Sequence, residues 1–281
     1  MKKLFFLLIL SMFGLLSLTS CSISQYSETS SNVFDSKTIK GINVQSANGN
    51  VEIKTWEGEE IKVDITKTVK GIENLESEIR KIEVSFEQNN DELLNCVIKM
   101  PKSSNFLISY TVDVIVRVPR KMFENINVKI SNGRINVESV NANFNLETSN
   151  GKIDLYQSLG TFKLKTSNGD IRVKGLQILR GDNVIESSNG DIVGSLKVPE
   201  SGSLILSTRN GNVDVELLGS LKVDLEITTK NGKIDVGNLN LTIEKQEKKY
   251  IRGKINGGGF RLSIFSSNGS VTVRGIPAIS V

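Results

Sequence analysis

Residues 148–155 read Thr148-Ser149-Asn150-Gly151-Lys152-Ile153-Asp154-Leu155, and residues 166–173 read Thr166-Ser167-Asn168-Gly169-Asp170-Ile171-Arg172-Val173. Working outward, the Asn-Gly pair recurs at Asn48-Gly49, Asn132-Gly133, Asn189-Gly190, Asn210-Gly211, Asn231-Gly232 and Asn268-Gly269. From Asn132 to Asn231 the spacings are 18, 18, 21, 21 and 21 residues. A fixed period of this size marks a repeat architecture, in which each unit buries its apolar face only by stacking on its neighbours.

Aligned on the Asn, the units share an alternating pattern. Two residues after the Gly stand Val51, Ile135, Ile153, Ile171, Ile192, Val213, Ile234 and Val271, all β-branched. Four before the Asn stand Val44, Val128, Leu146, Leu164, Ile185, Leu206, Ile227 and Ile264. The positions between are mostly Lys, Glu, Asp, Asn, Arg and Thr. Period-2 alternation on both sides of each pair gives strands with one buried and one wet face. Two all-β architectures fit. Asn-Gly suits a two-residue hairpin turn, which would make an antiparallel barrel or sandwich. Alternatively each unit is one coil of a right-handed β-solenoid, with Asn-Gly at the same corner in every coil. The near-constant spacing and the recurrence of Ser-Asn-Gly favour the solenoid, with coils of about 18–21 residues. Stacked Asn side chains would bond along the corner, and Gly would accept a left-handed corner backbone.

Residues 57–124 interrupt the period. The patterns predict strands at Glu60–Ile65, Ile82–Phe86, Leu94–Met100 and Ile108–Pro119, and a short helical insert near 72–82, where Leu75, Ile79 and Ile82 fall at helical spacing. Gln88-Asn89-Asn90-Asp91 reads as the turn between two of these strands. The stretch Glu244–Lys249 and the run Gly257-Gly258-Gly259 read as a loop before the last unit. These irregular flanks are the candidates to cover the open solenoid ends. The division expected is 1–20 export signal, 21–36 flexible tether and 37–281 one β-repeat domain, irregular over 37–124 and regular over 125–281.

The chain opens with Lys2 and Lys3, an apolar run from Leu4 to Leu16, and then Leu18-Thr19-Ser20-Cys21. The run is short for a spanning helix and suits an export signal. Leu18-Thr19-Ser20-Cys21 resembles the bacterial lipobox, which implies that Cys21 is lipidated and becomes the new N-terminus. The anchor partner is then a membrane, since each buried acyl CH₂ adds about 0.8 kcal/mol. Ser22 in place of Asp implies, in a bacterium with two membranes, an outer-membrane or surface destination. Residues 22–36 are Ser-rich without a period and read as the tether.

Removing residues 1–20 takes Lys2 and Lys3 and no acids, so a formal charge of +4 falls to +2. The remaining charges alternate in sign, which argues against nucleic acid as a partner. The chain has no His, which excludes Ser-His-Asp and Cys-His catalysis and His-ligated metals. Cys96, in an apolar run, reads as an inert buried thiol.

Carboxylate chemistry is what remains for an enzyme. At the third position after Gly, Asp214 and Asp235 would be stacked neighbours about 5 Å apart, close to the retaining-glycosidase separation. Asp170 and Asp191, one position after Gly, would be the place for an isolated Ca²⁺, although Lys and Arg interrupt that column. Solvated acids on a strand's polar face are the default for both pairs. No catalytic residue, metal ligand or cofactor is therefore assigned. Trp56, Tyr156 and Tyr250 are the aromatics available to meet a carbohydrate, and packing at a core or edge is the ordinary role for each.

The strand ending Val116-Arg117-Val118-Pro119, followed by Ile126-Asn127-Val128-Lys129-Ile130-Ser131-Asn132-Gly133-Arg134-Ile135-Asn136-Val137 and further Ser-Asn-Gly-x-Ile units, resembles the bacterial putative-adhesin family. That family is a domain of unknown function built from Asn-Gly β-strand repeats, and the likeness covers about residues 38–275. The resemblance implies a β-helix-like fold and an envelope role, and transfers no catalytic residues. The function expected is that of a lipid-anchored, non-catalytic cell-envelope protein presenting a β-solenoid surface to a protein or to an envelope or surface polysaccharide. The alternatives are a polysaccharide-active enzyme on the same scaffold and a structural or envelope-stress module.

Overall fold

In the computed structural model the described residues are 23–89, 92–101, 107–179, 181–219 and 221–276. The export signal, Cys21 and the Asn90-Asp91 turn lie outside them. The chain forms β1 (Ser24–Phe34), β2 (Gly41–Asn48), β3 (Val51–Thr55), β4 (Ile61–Gly71), α1 (Leu75–Ile79), β5 (Glu83–Asn89), β6 (Leu93–Lys99) and β7 (Ser109–Val118). The regular region follows with β8 (Met122–Asn132), β9 (Ile135–Glu138), β10 (Asn141–Asn150), β11 (Ile153–Tyr156), β12 (Leu159–Asn168), β13 (Ile171–Ile178), β14 (Asp182–Asn189), β15 (Ile192–Lys197), β16 (Ser203–Asn210) and β17 (Val213–Leu218). The last elements are β18 (Val223–Thr229), β19 (Ile234–Asp235), β20 (Leu241–Glu247), β21 (Tyr250–Ile255), β22 (Phe260–Asn268) and β23 (Val271–Ile276).

The Asn-Gly pairs are corners of a β-solenoid, not hairpin turns. Each unit lays one strand on either side of its corner, and equivalent strands of successive units pair in parallel. The result is two walls facing each other. The first runs β5, β6, β2, β8, β10, β12, β14, β16, β22, β18, β21, β20. The second runs β1, β4, β7, β3, β9, β11, β13, β15, β17, β23, β19. The alternating apolar residues of both walls meet between them in one continuous core. Phe144 and Phe162 of adjacent coils stack there at 5.5 Å. Each Val, Ile or Leu fully buried in such a core contributes about 1.5–3 kcal/mol.

Three columns of residues hold the corner. Each corner Asn donates its amide to the carboxamide oxygen of the preceding rung, from Asn132 on Asn48 to Asn231 on Asn268, at 2.6–2.9 Å. Inside it, Thr148, Thr166, Ser187, Thr208, Ser266 and Thr229 each donate a hydroxyl to a corner glycine carbonyl of the neighbouring coil. Ser46, at the start of this column, has no partner for its buried hydroxyl. The glycines form the third column. A Cβ at Gly151, Gly169, Gly190 or Gly211 would stand 1.8–2.1 Å from the carbonyl oxygen of the glycine one coil earlier. Close approach of the coils, and not a left-handed backbone, is therefore what demands glycine there. Positive φ is confined to Gly49 and Gly133 among the corner glycines.

The stacking order departs from the chain order at one place. β22 and β23 insert between the β16–β17 coil and the β18–β19 coil. The 125–281 segment is thus less regular than its spacing suggests. Glu244–Glu247 belongs to β20, which with β21 forms an antiparallel hairpin laid on β18. At the other end β5 closes the first wall, and β4 and β1 close the second. The edges are thus the polar strand β1, the charged strands β5 and β20 and the two-residue β19.

Near the N-terminus one expectation holds and one is revised. The short helix forms as one turn, Leu75–Ile79, with Ile79 buried. The tether assigned to 21–36 is instead mostly the edge strand β1, paired with β4 from Ser24↔Gly71 to Phe34↔Ile61. Both faces of β1 are wet, so no apolar period announced it. Its register is held by the ladder, by Ser27–Thr68 and Thr29–Thr66 hydroxyl bonds, and by Phe34 against Phe86 at 5.2 Å.

Candidate binding surface

The outward residues of the second wall form a column that can be read across the stack. In spatial order it runs Glu52, Asn136, Asp154, Arg172, Val193, Asp214, Thr272, Asp235. Thr272 separates Asp214 from Asp235 because the last coil is inserted between theirs. The two acids are thus two rungs apart, roughly 9–10 Å, and not stacked neighbours. Asp214 is clamped by Arg274 at 2.8 Å, and Asp235 accepts the amide of Gly237 at 2.8 Å. Neither is buried against apolar walls as a general acid needs.

Asp170 and Asp191 do adjoin, but their oxygens are taken. Lys152 and Arg172 each reach Asp170 at 2.9 Å, and Asp191 accepts the Asn212 amide at 2.7 Å. The Lys152 hydrogen bond, with lesser help from the Asp191 amide and Arg172, holds the Asp170 carboxyl below its ordinary range against the opposing effect of burial. Basic side chains occupy the space a cation would need. Among the described residues no cluster of three or more acids, Cys or His gathers to hold a metal. Asp154, fully buried on this outer face, is covered by Arg134, whose Nε lies 2.5 Å away. Cys96 is buried, and burial pushes its thiol up to about 12.

The wall's one interruption makes a groove. In β13 the residues Lys174 and Gly175 stand opposite the single Ser195 of β15, a bulge in which Gly175 has φ +67° and its amide donates to Ser195 Oγ at 2.9 Å. Gly194 stands in the inward column where other units carry Val, Ile or Leu, because a Cβ there would meet the Val173 carbonyl at 2.0 Å. The loss of that side chain and the bulge together open a groove of about 320 Å³. Tyr156 and Val193, which is 40% exposed, give it an apolar floor. Arg172, Lys174 and Arg274 alternate around it with Asp214 and Glu216. Sequence reasoning weighed Tyr156 and Asp214 separately. Gly194 in an apolar column was the signal that could have joined them.

A family model described as Toastrack DUF4097 matches residues 39–196, more than half of the chain. The chain belongs to this family. The Toastrack match begins just before β2 and ends in β15, so it takes in the N-terminal insert and the first coils of the groove. No curated protein matches the chain. Solved structures similar to it include a putative cell adhesion protein from Clostridium sporogenes, 12% identical over 89% of this chain and 100% of that one, with a TM-score of 0.39. A putative adhesin from Bacteroides fragilis is 14% identical over 89% of this chain and 97% of that one, with a TM-score of 0.40. A putative lipid binding protein from Parabacteroides distasonis is 12% identical over 88% of this chain and 96% of that one, with a TM-score of 0.38.

Proposed function

We propose that this Toastrack protein is a non-catalytic cell-envelope protein, lipid-anchored through Cys21, whose solenoid presents its second wall as an adhesive surface. The observation that carries the reading is the state of the outward acids on that wall. Asp214 on the wall and Asp170 at its corner lie against basic side chains, and Arg134 covers the buried Asp154, which suits recognition of a polar partner better than proton transfer. A repeat scaffold also offers extended surfaces more readily than one deep cleft.

The anchor reading has a geometric corollary. Only Ser22 and Ile23 separate Cys21 from β1, a reach of at most about 10 Å. A lipidated chain would thus hold the Ser24 end of β1 close to the bilayer. Among the described residues no helix is long and apolar enough to cross a membrane.

The test is to express the full chain and Cys21→Ala in the native host, label with a lipid precursor, and treat intact cells with protease. Label on the wild type alone, with the body shaved from intact cells, supports a surface adhesin. Label without shaving moves the function to the periplasmic side of the envelope. No label on the wild type overturns the anchor.

A further inference from the structure

A second, larger cleft lies away from the groove just described, at the N-terminal end of the stack. It encloses about 760 Å³ where three connections meet: residues 35–37 after β1, 56–60 between β3 and β4, and 119–121 between β7 and β8. That size falls within the range of small-ligand sites. Its lining includes Trp56, the one Trp of the chain.

The Trp56 indole is fixed before any ligand arrives. Its Nε1 donates to the Glu60 carbonyl at 2.9 Å, and the ring lies so close on Gly58 that a Cβ there would stand 2.4 Å from it. One side of the ring is therefore packed on backbone, and what remains of it lines the cleft. An aromatic surface held in this way costs little ordering entropy on binding. Val33, 54% exposed, and Pro119 extend the apolar floor.

The rest of the lining is polar and nearly balanced in charge. Asp35, Glu57, Glu59 and Glu60 supply acceptors, with Lys37, Arg120 and Lys121 as donors. Arg120 lies 2.8 Å from Glu57. Lys121 is structural, since it donates to the carbonyls of Ser36 and Ile39, and burial lowers its pKa. Near-neutral lining disfavours an anionic polymer, and a single aromatic is not the cage that captures quaternary ammonium groups. A pyranose matches what is left. Its C–H face packs on an indole, and each hydroxyl both donates and accepts.

We propose that the Trp56 cleft binds neutral saccharide units of an envelope or surface polysaccharide. The inference deepens the adhesive reading above and rests on it. The cleft adjoins the Phe34 end of β1, roughly 33 Å along the strand from the Ser24 end beside the anchor.

Trp56 is its own reporter. The full chain, in a detergent without sugar, is titrated with cellohexaose, maltohexaose and chitohexaose while Trp fluorescence and acrylamide quenching are followed. Oligogalacturonate and choline serve as the anionic and cationic comparisons. At least one neutral oligosaccharide should shift the emission and shield the indole. By calorimetry Trp56→Ala should bind it at least about tenfold more weakly, with Trp56→Phe between the two. Gly58→Ala, which lifts the indole off its seat, should weaken binding while leaving the unfolding midpoint of the stack in place. Fluorescence that responds only to choline or to oligogalacturonate overturns the proposal, as does equal binding by Trp56→Ala. Silence toward every sugar by a chain that is still acylated and shaved from intact cells sinks this inference alone, and the envelope reading stands.

Discussion

Asn268 donates its side-chain amide to Asn210, 58 residues earlier, at 2.7 Å, although Asn231 lies between them in sequence. Asn231 in turn donates to Asn268 at 2.8 Å, so the rung written last in the chain is the second-last rung of the ladder. Among the described residues β18 and β19 pair with no strand of the β16–β17 coil and join the two walls through β22 and β23. A chain ending at Gly259 should therefore lose the β18–β19 coil from the stack while keeping the earlier ones. Amide hydrogen exchange checks this, with protection expected to fall across Val223–Thr229 and to persist across Asn141–Asn168. Uniform loss of protection would mean that the stack folds only as a whole.

The Asn ladder should show its nearest-neighbour character in mutants. Asn168 donates to Asn150 and accepts from Asn189, both at 2.8 Å. Asn168→Ala removes both bonds and should cost about 1–3 kcal/mol in urea unfolding. Asn231→Ala, at the end of the row, removes the one bond to Asn268 and should cost about half as much.

Close approach and backbone conformation can be separated with two glycines. At Gly169 a Cβ would stand 2.0 Å from the Gly151 oxygen, so Gly169→Ala must push neighbouring coils apart and should cost about 3 kcal/mol or more. At Gly175 the space is open and only φ +67° opposes a side chain, so Gly175→Ala should cost about 1–2 kcal/mol. Equal costs in thermal unfolding would refute the steric account of the corner.

Alkali should weaken the fold. Burial raises Cys96 from 9.0 to about 12, and burial followed by the Glu78 hydrogen bond raises Tyr110 from 10.0 to about 12. The unfolded chain gives up these protons first. The stability they represent is intact below pH 9.0 and is lost as pH climbs toward about 12. The urea midpoint should fall between pH 8 and pH 11, and Cys96→Ala should flatten the early portion of that fall. In the folded protein at pH 8, Cys96 should resist iodoacetamide.

Acid should act through Asp170, whose carboxyl is lowered by Lys152 first and by Arg172 and the Asp191 amide besides. A lowered acid stabilises the fold above its ordinary value of 3.8, and that contribution disappears as pH falls below it. Asp170→Asn should reduce stability at pH 7 and make the acid limb of the pH profile shallower.

The corner, the alternation and the solenoid were legible because each is a local pattern repeated in the sequence. The exchange of the last two coils was not, since the units at Asn231 and Asn268 carry similar inward residues, Leu225, Ile227 and Ile234 against Leu262, Ile264 and Val271, and only tertiary packing decides which docks first. β1 was hidden for another reason. Its Ser and Thr side chains face water on both sides, so pairing with β4 leaves no hydrophobic trace. The groove was legible only at Gly194, and the Trp56 cleft only as a lone aromatic, because its walls come from three connections far apart in sequence. Asn183 takes a position that is Leu, Ile or Phe in the other units. In the fold it is fully buried, accepting from the Phe162 amide and donating to the Gly181 and Ser203 carbonyls. It replaces ladder bonds that an irregular coil has lost.

The inserted coil also limits how such a protein can lengthen. β22 is paired on both sides, by β16 and by β18, and β23 by β17 and by β19. A unit copied after Ile276 finds both sides of β22 and of β23, the strands it follows, already paired. A unit copied between Asn150 and Asn189, where rungs follow the chain in order, simply becomes one more rung. Growth by duplication is open to the middle of this solenoid and closed at its tail.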